Sequence, residues 1–463
     1  MRALRLTLVA AAAALMGACA AVPDPSAPAP SLPPAFSQAQ GLPQAATADR
    51  AWWLALPDPV LAQLIERGLQ VNLDLVQAGE RVQRSRALAA GSRAALAPAG
   101  GASMRMQAAQ ASAHEAPGLS SDRRRVETTS VGIELQWELD LFGRLRAQAA
   151  AAGARLQATE AQAAAMRLAV SAEIAQAYFT LIGAREQLQL ARTLIDNRRS
   201  TVDLVQRRAR AGLVAPIDDA RARADLAAAE AQAPVHETEA TVATHRLAVL
   251  LGSAPSDFEL PPLQGIDASQ VAVDVPAPAQ WLSRRADVAE AEAALRAQAL
   301  DVAAVRAEFM PRVSVTGLLA FVAGSASGLG AAGSASWLAA PALTVPLFDH
   351  ARIDARLAAA RAQQREALAA YRQRILLALE EVESALARYR QAQLQLAALH
   401  ERSRQATAAE RLARVRYDAG ASDLLELLDA QRGAQQAQMA LAQGLAQQRL
   451  QVVAVLRALG TSA

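Results

Sequence analysis

The sequence predicts a mostly α-helical chain with a membrane β-barrel portion, built from two copies of a helix, strand, strand, long helix, helix unit. Three observations carry the prediction. The hydrophobic share is 52% while aromatics are only 3%, and the apolar residues are largely Ala, which suits helices packed close together better than a bulky core. Matching residues recur at a fixed separation: Asn72, Asp74, Arg93 and Pro98 are answered 213 residues later by Arg285, Asp287, Arg306 and Pro311. Arg144, Glu173, Gly212 and Gly252 are answered 208 residues later by Arg352, Glu381, Gly420 and Gly460. A repeat on this scale means that two halves share one architecture, and the change of shift places five extra residues of the first half between Pro98 and Arg144. Finally, residues 144–211 and 351–418 contain no Pro. At the α-helical rise each would be on the order of 100 Å long, a length that means a coiled coil or a helical conduit.

In chain order, Arg2 and Arg5 precede an apolar stretch from Leu6 to Leu15 and then Met16-Gly17-Ala18-Cys19. Residues 1–18 read as a secretory signal, too short to be a spanning helix. Cys19 is the only Cys, so no internal disulfide can form, and the residue is either a reactive thiol or an attachment site. From Ala21 to Ala51 the chain is rich in Pro, Ala, Ser and Gln and too poor in large apolar residues to fold alone, and residues 19–56 read as a lipid-anchored tether. The formal net charge of +3 falls to +1 when Arg2 and Arg5 leave with the signal, so nucleic acid is not implied. The chain has no Lys; every basic residue is an Arg that stays charged.

The first repeat spans residues 57–252. Its opening helix ends before Pro98. Val131, Ile133, Leu135, Trp137 and Leu139 then alternate with Gly132, Glu134, Gln136 and Glu138, the period of two that marks a strand with one apolar face. Strands are expected at about 102–112 and 127–140. The long helix, 144–211, stops at Gly212, which supplies the left-handed residue that closes a helix, and a return helix takes 216–252. A Pro-rich linker, 253–281, leads to the second repeat, 282–460. There a helix ends at Pro311 and strands are expected at about 312–322 and 336–347, joined by a Gly/Ser/Ala loop. A long helix over 351–418 is closed by Gly420, and a return helix takes 423–460. Each glycine stop makes a helical hairpin tip.

No segment offers 18 consecutive apolar residues, so no helix crosses a bilayer, whereas strands of about 10 residues can. Four strands do not close a barrel, and an open sheet would leave unpaired edges in lipid. The smallest membrane barrels have eight strands. The chain must therefore share a barrel with copies of itself. A threefold assembly with twelve strands is the natural small-number solution, although sequence alone leaves the number open.

Several motifs stand in order along the chain: Trp52-Trp53, Asp58-Pro59-Val60-Leu61, Asn72-Leu73-Asp74, WELDLFGRLR (Trp137–Arg146), RARAGLVAPIDDARA (Arg208–Ala222), PLFDHARI (Pro346–Ile353) and RYDAGASDLLELLDAQRG (Arg416–Gly433). Together they resemble the outer-membrane efflux proteins of the TolC and OprM type, in the lipoprotein (NodT-like) branch, over essentially the whole mature chain. The resemblance implies a homotrimer with a twelve-stranded barrel and a periplasmic α-helical barrel. Such a trimer would be the exit duct of a tripartite efflux pump in the outer membrane of a Gram-negative bacterium. Its implied partners are a periplasmic adaptor protein, an inner-membrane pump of the RND type and outer-membrane lipid. Met16 to Cys19 resemble the lipobox of bacterial lipoproteins, which implies a covalent lipid on Cys19, and Ala20 fits sorting to the outer membrane. Several acyl chains on one residue would anchor the chain durably. No other cofactor is implied. Ala286 departs from the motif, which usually has Pro there, and Ser422 stands where some members carry a basic residue.

The acids of the second tip pose the sharpest question. Leu425, Glu426 and Asp429 lie just past Gly420, and Glu426 and Asp429, three apart, share a helix face. Asp218 corresponds to Glu426 at the 208-residue shift. In a trimer each such residue becomes a ring, and carboxylate rings favour cations and interact with nearby Arg. By resemblance, Leu425 and Asp429 stand at the constriction of a periplasmic gate and Asp218 and Tyr417 at positions that bond the tips, with Arg416 pairing with an acid. The bland alternative is a solvated hairpin end whose acids complement a helix N-terminus.

Other signals carry less. Gly328 to Gly333 fits GxGxxG, but Pro341 and Pro346 follow where a dinucleotide site needs a helix, so the segment reads as an external loop. Tyr178, Phe179, Tyr371 and Tyr389 read as packing on the long helices. Arg123-Arg124-Arg125 is a solvated run or a contact for lipopolysaccharide phosphates. The five His have no metal-ligating spacing and there is no P-loop, so neither an enzyme nor an energy source is encoded. Three functions remain: an exit duct for small toxic molecules, the same duct serving type I protein secretion, or a structural lipoprotein spanning the periplasm. The last would need neither alternating strands nor duplicated glycine tips.

Overall fold

The structure is a computed structural model that describes residues 32–43, 51–260, 262–263, 271 and 273–460. The signal segment, Cys19 and the remaining parts of the tether and linker lie outside the described residues. In the first repeat α1 (Pro59–Val71) and α2 (Leu73–Ala94) lead to β1 (Ala99–Gln110). A short α3 (Ser121–Arg124) precedes β2 (Arg125–Leu139), and the long α4 (Arg144–Arg210) is followed by α5 (Pro216–Glu230) and α6 (Ala233–Leu250). In the second repeat α7 (Pro278–Leu282) and α8 (Ala286–Arg306) lead to β3 (Arg312–Ala323) and β4 (Ala335–Thr344), then to the long α9 (His350–Asp418) and to α10 (Leu424–Leu459).

Two helices expected in one piece are split, each for a local reason. Asn72 interrupts the opening helix in an extended conformation. Its Oδ1 accepts from the backbone N–H groups of Asp74 at 2.9 Å and Leu75 at 3.2 Å, capping α2, while its Nδ2 donates to the Leu250 carbonyl at 3.0 Å. The return helix of the first repeat breaks at Ala231 and Gln232, both still in the right-handed helical region. Pro234 has no N–H to give to the preceding turn. Its counterpart 208 residues on is Ala442, and α10 runs unbroken.

Both repeats close in the same way with different chemistry. Where Asn72 bonds Leu250, the Nη1 of Arg285 donates to the Ala458 carbonyl at 3.2 Å, and Trp281 Nε1 donates to the same oxygen at 2.9 Å. Each repeat thus ties its beginning to the last turn of its own return helix.

The chain divides into two compact units that cut across the repeats. One is drawn from Arg81–Thr159 and Glu290–Tyr371 and holds the sheet, antiparallel in the order β1-β2-β3-β4. β1 and β3 match residue for residue at the 213 shift, so the five extra residues of the first repeat fall in the loop carrying α3. The register sets Ala102, Ile133, Leu319 and Trp337 in one row and Met104, Val131 and Phe321 in the next. This apolar face is open, with Trp337 78% exposed. On the other face the Ser103 hydroxyl donates to Glu134 at 3.1 Å. The outer edges of β1 and β4 have no partner strand among the described residues. Helices in this unit meet through small residues, with Ala151 and Ala154 against Ala297 and Leu300.

The second unit is drawn from Pro30–Glu80, Glu160–Ala289 and Arg372–Ala463. Trp281, Tyr178, Phe179, Leu61 and Ile65 are fully buried in it. Asp58 caps α1, accepting from Val60 and Leu61 N–H at 3.0 Å, and takes the Tyr178 hydroxyl at 2.8 Å. Described parts of the segment read as a tether are packed against this unit. Phe36 is buried edge-on against Trp281 with ring centroids 5.3 Å apart, and the N–H groups of Ser37 and Gln38 donate to Glu383 at 2.7 and 2.9 Å. Trp52 and Trp53 are buried as well, and Trp52 Nε1 donates to Ser171 at 3.0 Å. A segment too poor to fold alone still docks where other helices supply the apolar surface.

Candidate functional site

Both hairpin tips lie in the second unit and are closed by the same backbone device. Gly212 and Gly420 have φ of 72° and 73°. At each, the N–H of the next residue reaches back across the turn, Leu213 to the Arg208 carbonyl at 2.9 Å and Ala421 to the Arg416 carbonyl at 2.8 Å. This is the Schellman closure that a left-handed residue permits. A Cβ at either glycine would meet nothing within 4 Å, so the turn needs the conformation of Gly and not its small size.

Beyond the second turn the Asp423 side chain accepts from the Glu426 N–H at 2.9 Å and caps α10. The Leu run that follows divides by helix face. Leu424, Leu427 and Leu428 are buried among Val202, Val205, Ala222, Ala413 and Tyr417, while Leu425 is 49% exposed. Glu426 and Asp429 share the exposed side with Leu425. The Arg416 Nη1 lies 2.8 Å from Glu426, in a pair largely open to water, where such contacts add little stability. Asp429 has no ion-pair partner among the described residues. Asp218, in the first turn of α5, lies 3.8 Å from Arg221 on its own helix. Tyr417 is buried and its hydroxyl has no hydrogen-bond partner among the described residues, so within one chain Asp218 and Tyr417 do not bond to each other.

Sequence reasoning passed over two further ties between the hairpins. Arg208, near the end of α4, lies over the Tyr417 ring at 4.3 Å and donates to the Tyr417 and Asp418 carbonyls at 3.1 and 3.2 Å, satisfying the last carbonyls of α9. Arg208 is the counterpart of Arg416 at the 208 shift, a signal that could have singled it out. Deeper in the same unit, Arg198 of α4, Asp225 of α5 and Arg432 of α10 form a charge network. Arg198 Nε is 2.9 Å from one Asp225 carboxylate oxygen, and Arg432 Nε is 3.1 Å from the other. Burial pushes the Arg198 guanidinium below its usual value, Asp225 and Glu410 pull against that, and Arg414 and Arg432 add to it. The counterparts of these three positions, Ala406, Gly433 and Ala224, carry no charge, so the repeat offered no pointer to them.

Among the described residues no group of His, Cys, Asp and Glu is placed to hold a metal ion, and no helix is long and apolar enough to cross a membrane. Tyr178, Phe179, Tyr371 and Tyr389 are all buried. Gly328 to Gly333 forms the β3–β4 loop, with β4 and no helix after it.

The geometry agrees with comparisons to known proteins. The family described as outer membrane efflux protein matches residues 64–253 and 277–461, one stretch for each repeat. Outer membrane protein OprJ of Pseudomonas aeruginosa is 33% identical over 451 residues, covering 96% of this chain and 93% of its own length. The toluene efflux pump outer membrane protein TtgC of Pseudomonas putida is 31% identical over 468 residues, covering 98% and 95%. The solved structure of the outer-membrane channel OprN has a TM-score of 0.87 at 34% identity, covering 96% of this chain and 98% of that one. The chain therefore belongs to the outer membrane efflux protein family, whose members are passive outer-membrane channels that extend into the periplasm and are not enzymes.

Proposed function

We propose that three copies of this chain form the exit duct of a tripartite efflux pump. The duct passes small molecules such as drugs or toxic compounds from periplasm to exterior and is gated at its helical tips. Leu425 and Asp429 form the constriction, and Glu426, Arg416, Asp218 and Tyr417 hold the tips around it. A periplasmic adaptor and an inner-membrane pump of the RND type dock on the protein and supply the energy. A lipid on Cys19 anchors the chain to the outer membrane.

One observation carries the gate: α10 buries three of its four tip leucines and leaves Leu425 exposed on the side of Glu426 and Asp429, immediately after a glycine-closed turn. Copies brought around an axis would turn that side into stacked apolar and carboxylate rings, which restrict flow and favour cations. The toluene pump relative supports small apolar compounds as cargo.

Planar-bilayer conductance of the purified protein tests this. Wild type should show small, cation-favouring currents, and Asp429→Ala should raise them severalfold while weakening the cation preference. No current from wild type, Asp429→Ala or Asp218→Ala would remove the gate and leave only a scaffold.

A further inference from the structure

We propose that Asp225 is a positioning residue for the gate. Through Arg198 and Arg432 it latches the first hairpin tip of a chain to the second and so sets how readily the tips part. The proposal rests on the reading of the tips as a gate and names the residue that controls it.

Asp225 divides its carboxylate between two helices other than its own, α4 through Arg198 and α10 through Arg432. The two contacts differ in kind. Arg198 and Asp225 are 3% and 10% exposed, and a charge left alone at such a depth is strongly unfavourable. Arg432 is 50% exposed, so water can take over its guanidinium when the contact breaks. One contact is therefore an anchor and the other a release point. A bond from Arg199 Nη2 to Glu230 at 3.0 Å adds to the anchor between α4 and α5, while those from Arg198 Nη2 to Gln435 at 3.1 Å and from Gln431 Nε2 to the Thr201 hydroxyl at 3.2 Å run between α4 and α10 and stand beside Arg432 on the side that parts. The charges of Glu410 and Arg414 on α9 also act on Arg198, so all four tip helices converge on the network.

The latch is wired to the gate through rigid helix. Asp225 lies seven residues beyond Asp218 on α5, and Arg432 three beyond Asp429 on α10, two turns and one turn respectively. When α10 moves away from α5, Asp429 and Leu425 move with it and the Arg432 contact must open.

The test compares wild type, Asp429→Ala, Arg432→Met, Asp225→Asn and the Arg432→Met/Asp225→Asn pair as full-length protein in planar bilayers, with melting temperature as a control for folding. Arg432→Met keeps the apolar stem and leaves the buried pair intact, so it reads the latch even where Asp225→Asn fails to fold. Arg432→Met should raise open probability at least about threefold at an unchanged melting temperature, and the double variant should open no more than the stronger single. If Asp429→Ala opens the channel while Arg432→Met gates like wild type, the latch is wrong and the gate stands. If neither changes gating, the gate reading fails and takes the latch with it.

Discussion

Arg285 shows how much depth changes the weight of an ion pair. Its guanidinium holds Asp287 with two bonds of 2.9 Å, reaches Glu381 at 2.7 Å and lies 5.0 Å from the Trp281 ring. Burial by itself would raise the Asp287 carboxyl. The Arg285 hydrogen bonds and charge, aided by Arg374 and the Val288 N–H, outweigh it and hold the group below its ordinary 3.8. A carboxyl depressed in the folded state contributes stability that is complete above the unfolded value and lost as pH falls through the folded one. Melting temperature should therefore drop on acidification below about pH 4. Asp287→Asn should lower stability at neutral pH by about 2 kcal/mol, less than a fully buried pair would lose, and flatten that part of the acid profile. Melts of both proteins between pH 7 and pH 3 check this; equal slopes would contradict it. The Arg416–Glu426 pair at the tip is half open to water and belongs to the class worth less than about 1 kcal/mol. Any effect of Glu426→Gln should thus be on conduction and not on stability.

At the scale of elements, Pro234 separates α5 from α6 although residues 231 and 232 keep helical backbone angles. The break is thus a loss of hydrogen bonds and not a change of path. Pro234→Ala should fuse the two helices, slow amide exchange over residues 233–236 by about tenfold and stabilise the chain by about 1 kcal/mol, a fraction of the usual cost of an interior Pro. Unchanged exchange there would mean that packing, not Pro, sets the break. The same contrast explains what could be read from sequence. The long helices and strands announce themselves through Pro-free runs and a period of two, both local signals. The break at Asn72 is secured by the Leu250 carbonyl, 178 residues away, and no local pattern reports such a partner. Arg416, Glu426, Leu425 and Asp429 were legible because they crowd one glycine stop. Arg198, Asp225 and Arg432 were not, since three unremarkable charges on three helices become a network only when the hairpins pack. The burial of Phe36 and Trp52 was not legible for the same reason, because their partners come from distant helices.

At the scale of the whole molecule, the open sheet demands more copies of the chain. β1 and β4 each present one outer edge without a partner among the described residues, and the exposed apolar rows on one face place those edges in hydrocarbon. About half of the backbone groups of an edge strand point outward, and each left unpaired in lipid costs several kcal/mol, so two bare edges would cost tens of kcal/mol. No further strand among the described residues lengthens the sheet, but joining β4 of one copy to β1 of the next satisfies both edges at once. The join between β2 and β3 indicates how tight such a seam is: a Cβ at Gly132 would sit 2.5 Å from that of Ala320 and 2.6 Å from the Leu319 carbonyl. Closure needs at least eight strands, hence two copies at the minimum, and three give the twelve-stranded wall proposed above. Mass photometry of the detergent-solubilised protein should show a particle of three times the protomer mass, with the strands protected from protease. Dissociation by stronger detergent should expose them to cleavage in step with the loss of that particle. A lone subunit whose strands stay protected would mean that one sheet seals itself, and both the shared barrel and the ring-built gate would fall together.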